Sequence, residues 1–255
     1  MKPPTLRALI FDVDGTLADT ESVHRAAFNA AFVEARLDWH WDEELYTRLL
    51  EVSGGKERIT HYWQRLRPDG PAPPPGVLAD TVQRLHDLKT AVYSRLVAEG
   101  ALQLRPGVRQ LIESAPAEGL RLAIATTTSP ANIEALLQGA LGADWRARFD
   151  VVEDASTAPR KKPHPQVYLQ ALQRLELEAC ACLALEDSAN GLQAATRALI
   201  PVIVTPNPFT AHQDFTAALR VLPSLEGTTV ADLRAWHATA ALPAPFAATP
   251  DPCHP

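Results

Sequence analysis

Four short apolar runs punctuate the chain: ALIF over 8–11, LAIATT over 122–127, CLALE over 182–186 and PVIVT over 201–205. Each is too short for a helix and is closed by polar or small residues, so the pattern predicts strands buried on both faces. FDVV at 149–152 and RVLPS at 220–224 are weaker strand candidates. Helix-length stretches lie between the runs. SPANIEALLQGAL has Ser129 placed as N-cap with Pro130 at the first helical position, and SANGLQAATRAL follows Asp187. This alternation predicts an α/β fold: a Rossmann-like parallel sheet covered on both sides, with right-handed crossovers and the functional site at the C-terminal edge of the strands.

The rhythm breaks after the first strand, where roughly 80 residues pass before LRPGVRQLIESA resumes the strand-helix pattern. The intervening stretch carries helical periodicity in HRAAFNAAFVEA, DEELYTRLLEV, KERITHYWQRL and LADTVQRLHDLKTAVYSRLVAE, interrupted by the Pro-rich RPDGPAPPPG. It predicts an inserted α-helical cap domain over 19–98, with the α/β core assembled from 1–18 and 99–238. No internal repeat is visible. The final segment, 239–255, mixes alanine with repeated proline and is expected to be a loosely ordered tail without chemistry.

Composition narrows the classes of function. The 255 residues are 46% hydrophobic, enough for a substantial core and for two domains. The formal charge is −6 with lysine and arginine scattered, so no electrostatic footprint for nucleic acid or an acidic membrane surface exists and any anion must be held locally. Cys180, Cys182 and Cys253 match neither zinc spacing nor a disulfide framework, which points to a reducing compartment. No run reaches the roughly 18 apolar residues that span a bilayer, and MKPPTLRALIF lacks the apolar region of a signal peptide. A soluble, cytoplasmic monomer acting on a small molecule is expected.

Candidate chemistry gathers at the strand ends. In FDVDGT, Asp12 and Asp14 are two apart, so on an extended chain both can point into one site while Val13 points away. Carboxylates that close repel unless a proton is shared or a divalent cation lies between them. Gly15 and Thr16 then supply a tight turn whose amides can face an anion; the plain alternative is a solvated turn. Thr126, with Thr127 and the neighbouring amides, sits just before a helix N-terminus, a favourable place for phosphate oxygens. Capping by Ser129 alone would explain Ser129 but not Thr126. Lys162 precedes Pro163 and is biased to extended geometry, with Pro165 suited to opening a helix. It can serve as a fixed positive charge, the alternative being a solvated basic loop. Glu186 and Asp187 close the CLALE strand where metal ligands would be wanted.

In order and spacing these motifs resemble the haloacid dehalogenase superfamily of phosphotransferases, in the branch whose helical cap follows the first motif. The resemblance covers residues 7 to about 226, and DVDGT is its most specific element. It implies that Asp12 is the nucleophile, Asp14 the general acid/base, Thr126 the phosphate-binding hydroxyl and Lys162 the charge-neutralising lysine. It further implies Mg²⁺ held by the Asp12 carboxylate, the Asp14 backbone carbonyl and Asp187, with Glu186 close by. The implied reaction is in-line attack by Asp12 on phosphorus to give an aspartyl phosphate, which water hydrolyses with Asp14 first as acid and then as base. Relatives that break carbon–halogen or carbon–phosphorus bonds lack an acid at the position of Asp14, so phosphate esters are favoured.

The cap is expected to choose the leaving group. Glu21 and His24 are three apart and share a helical face, so both can look into the cleft. Gly54 and Gly55 permit close backbone approach, and Lys56 with Arg58 adds the positive charge that a second phosphate requires, the plain alternative being a helix N-terminus with routine surface charge. VSGGKERI, DTESVHRAAFNAAF and ATTTSP are similar to CbbY-type phosphatases. That likeness implies xylulose 1,5-bisphosphate, an inhibitor of Rubisco, as substrate, a supporting role in the Calvin cycle, and substrate contacts at Tyr46, Gly54, Gly55 and Lys56. Two rivals remain. A sugar phosphomutase of the β-phosphoglucomutase type shares the core but carries an arginine directly after the cap serine, where this chain has Gly54 after Ser53. A non-catalytic module keeping only the fold would have no need of Asp12, Asp14, Lys162 and Asp187 together.

Overall fold

The structure, a computed structural model, describes residues 5–66, 75–100 and 102–240. Among these, six parallel strands form one sheet: β1 (Ala8–Phe11), β2 (Arg121–Ala125), β3 (Val151–Glu153), β4 (Cys182–Glu186), β5 (Val202–Val204) and β6 (Arg220–Val221), in the order β3-β2-β1-β4-β5-β6. The order reverses between β1 and β4, and the site lies at the carboxyl ends of those two neighbours. CLALE is a strand over its whole predicted length. The other runs are trimmed or shifted. β2 stops at Ala125, so Thr126 and Thr127 lie beyond it. β5 loses Pro201, which has no N–H to give the ladder, and Thr205, whose N–H reaches the Glu186 carbonyl at 2.7 Å. FDVV is displaced to 151–153, and only two exposed edge residues of RVLPS pair.

The two faces of the sheet differ in side-chain size because neighbours alternate. Leu9, Phe11, Leu122, Ile124, Leu183, Leu185 and Ile203 face α5 (Val108–Ala117), α6 (Pro130–Leu141) and α9 (Val230–Ala238). Ala8, Ala123, Ala125 and Ala184 lie on the other face, where α7 (Gln166–Leu175) and α8 (Ala189–Arg197) pack. A one-residue register slip would exchange the two sets, at about 1.5–3 kcal/mol for each large side chain exposed. Ser129 caps α6 with Pro130 at its start, as predicted. Helix α9 was not predicted; Thr229 and Asp232 close a capping box at its start.

Between β1 and α5 the chain forms α1 (Glu21–Glu34), α2 (Glu43–Leu49), α3 (Gly55–His61), a π-helical turn (Tyr62–Leu66) and α4 (Pro75–Ala98). Their apolar faces meet in an aromatic core of Phe28, Phe32, Trp39, Trp41 and Tyr46, with Leu49, Ile59, Val82 and Leu85. The predicted single helices DEELYTRLLEV and KERITHYWQRL are each cut short. Asp42 caps α2 by accepting from the Leu45 amide, and α3 gives way to the π turn. Most of the Pro-rich break, the whole segment 241–255 and Cys253 lie outside the described residues. The two connections to the insert are stitched together: Ala18 bridges Leu104, and the Arg105 amide donates to the Leu17 carbonyl at 2.8 Å. No described helix is long and apolar enough to cross a membrane.

Candidate active site

Asp12 continues the line of β1, its amide donating to the Leu185 carbonyl at 3.0 Å. Glu186 ends β4 and Asp187 precedes Ser188, whose side chain caps α8 by accepting from the Gly191 amide. One carboxylate oxygen from each of Asp12, Glu186 and Asp187 lies within 4.8 Å of the others, and all three residues are buried. Lys162 enters from the segment before α7. Its Nζ stands 2.6 Å from Asp12 Oδ1 and 2.7 Å from Glu186 Oε1, and Tyr168 Oη also donates to Glu186 Oε1. The Lys162–Pro163 peptide is cis. Gly191 makes this packing possible, since a Cβ there would fall within 2.2 Å of the Glu186 carboxyl.

Three acids against one ammonium leave this buried cluster short of positive charge. Burial, opposed by Lys162 and reinforced by Glu186, pushes Asp12 up to about 7. Burial and the neighbouring Asp12 and Glu186 push Asp187 well above the usual carboxylate range. Burial works against the charge on Lys162, but the facing Asp12 and Glu186 outweigh it and raise its pKa. Hard oxygen donors with an excess of two negative charges fit a divalent cation such as Mg²⁺.

The Asp14 carboxylate is not one of the three in that cluster, although Asp12 and Asp14 line the same cavity. Both residues lie past the end of β1, and the chain turns through Gly15 at φ +83°. The Asp14 carboxylate instead meets the insert: Thr20 Oγ1 donates to it at 2.8 Å and His24 Nε2 stands 2.9 Å away. On the far side of that ring, His24 Nδ1 faces Lys89 Nζ at 2.9 Å. Lys89 is buried on α4 beneath the rings of Phe28 and Tyr93, and His24 stacks on Tyr93. Burial and the adjoining Lys89 lower the pKa of His24 despite Asp14; burial lowers Lys89 to about 8. The resulting order is an ammonium donating to Nδ1 of a neutral imidazole, which donates from Nε2 to Asp14. Burial opposes the charge on Asp14, but His24, Thr20 and Lys89 outweigh it and hold the acid below the usual range.

A cavity of about 480 Å³ opens between the sheet edge and the insert. From the sheet side it is lined by Asp12, Asp14, Thr126, Thr127, Lys162 and Asp187, and from the insert by Glu21, His24, Gly54, Gly55, Lys56 and Arg58. Glu186 lies just beneath it, holding Lys162. Tyr46 does not line it. Its ring is fully buried in the aromatic core, and its hydroxyl donates to Glu21 at 2.8 Å, so it positions Glu21 from behind. Arg58 is largely occupied too, with Nε on the Leu49 carbonyl, Nη1 on Tyr46 Oη and Nη2 on the Val52 carbonyl. Lys56 is exposed and donates to Gln83. Gly54 has φ +98°, a conformation that strains other residues, and a Cβ on Gly55 would lie 2.9 Å from the His86 ring.

Sequence reasoning missed Lys89, His86, Lys161 and Asn190, all of which line the cavity. His86 and Lys89 are three apart in LADTVQRLHDLKTAVY, a spacing that marked one helical face and could have been noticed. His86 is lowered to about 4 by burial with Lys89 and Lys56 beside it. Lys161 carried no separate signal next to Lys162; its Nζ donates to the Thr127 carbonyl at 3.2 Å. Asn190 reaches from α8 to the Glu51 carbonyl at 3.0 Å and Ser53 Oγ at 3.3 Å.

Comparison with known proteins agrees with this arrangement. A family model described as haloacid dehalogenase-like hydrolase matches residues 6–198. Protein CbbY of Cupriavidus necator is 53% identical over 249 residues, covering 91% of this chain and 97% of its own length. The crystal structure of CbbY from Rhodobacter sphaeroides in complex with phosphate superposes with TM-score 0.82 at 44% identity, covering 89% of this chain and 99% of that one. A mutant of that protein in complex with xylulose-(1,5)bisphosphate superposes with TM-score 0.81, at the same identity and coverage. The chain therefore belongs to the haloacid dehalogenase-like hydrolase family, in its CbbY-type branch, and is an enzyme.

Proposed function

We propose that this sugar-phosphate phosphatase hydrolyses xylulose 1,5-bisphosphate through an aspartyl phosphate on Asp12, in support of the Calvin cycle, as a cytoplasmic monomer. The observation that carries the reading is the parting of the two acids. Asp12 faces Lys162, Glu186 and Asp187 at the sheet edge, while Asp14, two residues on, is held by Thr20 and His24. A nucleophile and a proton-transfer group need different surroundings, and a divalent cation among Asp12, Glu186 and Asp187 would offset the burial that raises Asp12 and keep it ionised. The CbbY structure with xylulose-(1,5)bisphosphate supports the choice of sugar.

In this reading Asp12 attacks phosphorus, and Asp14 protonates the departing sugar oxygen and later takes a proton from the attacking water. Lys162 and Thr126, with the amides around Thr127, hold the equatorial oxygens of the transferring group. Mg²⁺ would be held by Asp12, Asp187 and the Asp14 carbonyl with Glu186 close by, supplying charge that offsets repulsion between nucleophile and phosphate. The insert, assigned to residues 19–98 against a core of 1–18 and 99–238, recognises the rest of the sugar. Glu21, His24, Gly54 and Gly55 face it directly, Tyr46 acts through Glu21, and Lys56 with Lys161 and His86 meets the second phosphate.

Phosphate release from a panel of pentulose bisphosphates and hexose monophosphates, with Mg²⁺ present, tests the proposal. Stoichiometric release from xylulose 1,5-bisphosphate is expected, with kcat/KM for the hexose monophosphates at least about tenfold lower. Return of the phosphoryl group to the sugar with little free phosphate would identify a mutase instead.

A further inference from the structure

We infer that Phe209 and Asn207 are positioning residues that tie the seating of the helical insert to the orientation of Asp187. The inference rests on reading Asp187 as a magnesium ligand. Within the insert's aromatic core, Phe209 is, among the described residues, the one buried member drawn from outside α1–α4 and their connections. It comes from the loop after β5 and meets the Tyr46 ring edge-on at 6.0 Å between centroids. The same residue is tied back to the sheet edge. Its amide donates to Asn207 Oδ1 at 2.8 Å, and Asn207 Nδ2 donates to Asp187 Oδ2 at 2.8 Å. Thr16 Oγ1 stands farther from the other carboxyl oxygen, at 3.5 Å.

The two ends of this relay are constrained independently. Asn207 is buried, and its own amide and carbonyl are engaged by the Thr210 hydroxyl and the Thr210 amide. Gly15 leaves the carboxamide and carboxylate just enough room, since a Cβ there would sit 2.7 Å from Asn207 Nδ2 and 2.2 Å from Asp187 Oδ2. At the loop's start, Arg105 donates to the Thr205 and Pro206 carbonyls from the segment returning out of the insert, and also pairs with Asp19 on the outgoing segment at 3.2 Å. A loop pinned at one end by the connections and plugged at the other into the insert has little freedom left. Any shift of the insert that withdraws the pocket around Phe209 is passed to Asn207, and through it to a carboxylate at the sheet edge.

Calorimetric titration of the intact chain with MgCl₂, without sugar phosphate, is the test, with circular dichroism verifying that each variant is folded. Asp187→Asn should abolish binding; if it binds like wild type, the ligand reading fails and takes this inference with it. With that arm satisfied, Asn207→Ala should weaken Mg²⁺ binding about tenfold or more. Phe209→Ala should weaken it about threefold or more, Phe209→Leu should stay within about twofold of wild type, and the double variant Asn207→Ala/Phe209→Ala should be no weaker than Asn207→Ala alone. Unchanged Mg²⁺ affinity in Phe209→Ala, or losses that simply add in the double variant, would overturn the coupling even while Asp187 keeps its role.

Discussion

The sheet edge and the helical insert enclose one cavity but are built in opposite ways. At the sheet edge, Asp12, Glu186 and Asp187 are delivered by backbone pairing on adjacent parallel strands, and Lys162 locks onto two of them at 2.6 and 2.7 Å. In the insert, an aromatic core sets the shape, and the polar groups toward the cavity are long side chains held at second hand, as Tyr46 holds Glu21 and Lys89 holds His24. Ladder hydrogen bonds place a carboxylate with little freedom, whereas helix packing tolerates shifts of side chains and of whole elements. On the proposed function, the steps common to phosphate esters belong to the sheet edge and the discrimination among them to the insert.

That comparison is broken hardest at Asp12. Asp12→Asn should lose at least about 10⁴-fold in kcat while the melting temperature stays at or above that of wild type, because the change removes one of several crowded buried charges. Phosphate-release kinetics beside calorimetric melting would decide it, and retained turnover would take the nucleophile away from the sheet edge. Lys162→Met should fall in both respects. Loss of about 10³-fold in kcat is expected from the transition-state charge it stabilises, together with about 3 kcal/mol of stability from leaving Asp12 and Glu186 unpaired.

On the insert side effects should be smaller and should divide differently between kcat and KM. Lys89→Met should lower kcat about 10- to 100-fold by leaving His24 without the donor that orders it, with a smaller change in KM. It also has a pH signature. Burial lowers Lys89 to about 8 in the folded chain from the ordinary lysine value of 10.5, so between those values the unfolded chain binds more protons and this lysine makes stability rise with pH. The stability difference between wild type and Lys89→Met, followed by urea melts from pH 7.5 to 10.5, should shift in favour of wild type as pH rises; a flat difference would place the lysine in water. The mildest change is Lys56→Ala. It should raise KM for a bisphosphate about fivefold and leave a monophosphate within about twofold, as fits an exposed contact to a remote phosphate.

The two regions were also unequally legible. CLALE was readable over its full length because a strand buried on both faces is a continuous apolar run, and Glu186 and Asp187 mark its end with charge. The cap of α6 was readable because Ser-Pro at a helix start acts locally. The role of Tyr46 is not legible, because a tyrosine in an amphipathic helix gives the same pattern whether its hydroxyl faces a cavity or supports a neighbour, as it does Glu21. Arg58 gave a charge where the structure spends its donors on two carbonyls and a phenol. Lys89 was passed over because a lysine on a helix is ordinarily solvent-facing, and only packing under Phe28 and Tyr93 buries it.

What the sequence by itself determined is whatever depends on neighbours along the chain: the strand and helix alternation, the long helical insertion after the first strand, and the presence of acids, a threonine and a lysine at strand ends. The direction in which Asp14 faces was left to the tertiary structure. A single residue, Val13, separates it from Asp12, yet one turn at Gly15 and a histidine supplied by the insert send their carboxylates to different partners. Periodicity governs which side of an element a residue occupies, but hydrogen-bond partners far along the chain govern where a charged group finally rests, because a buried charge goes where it can be paired.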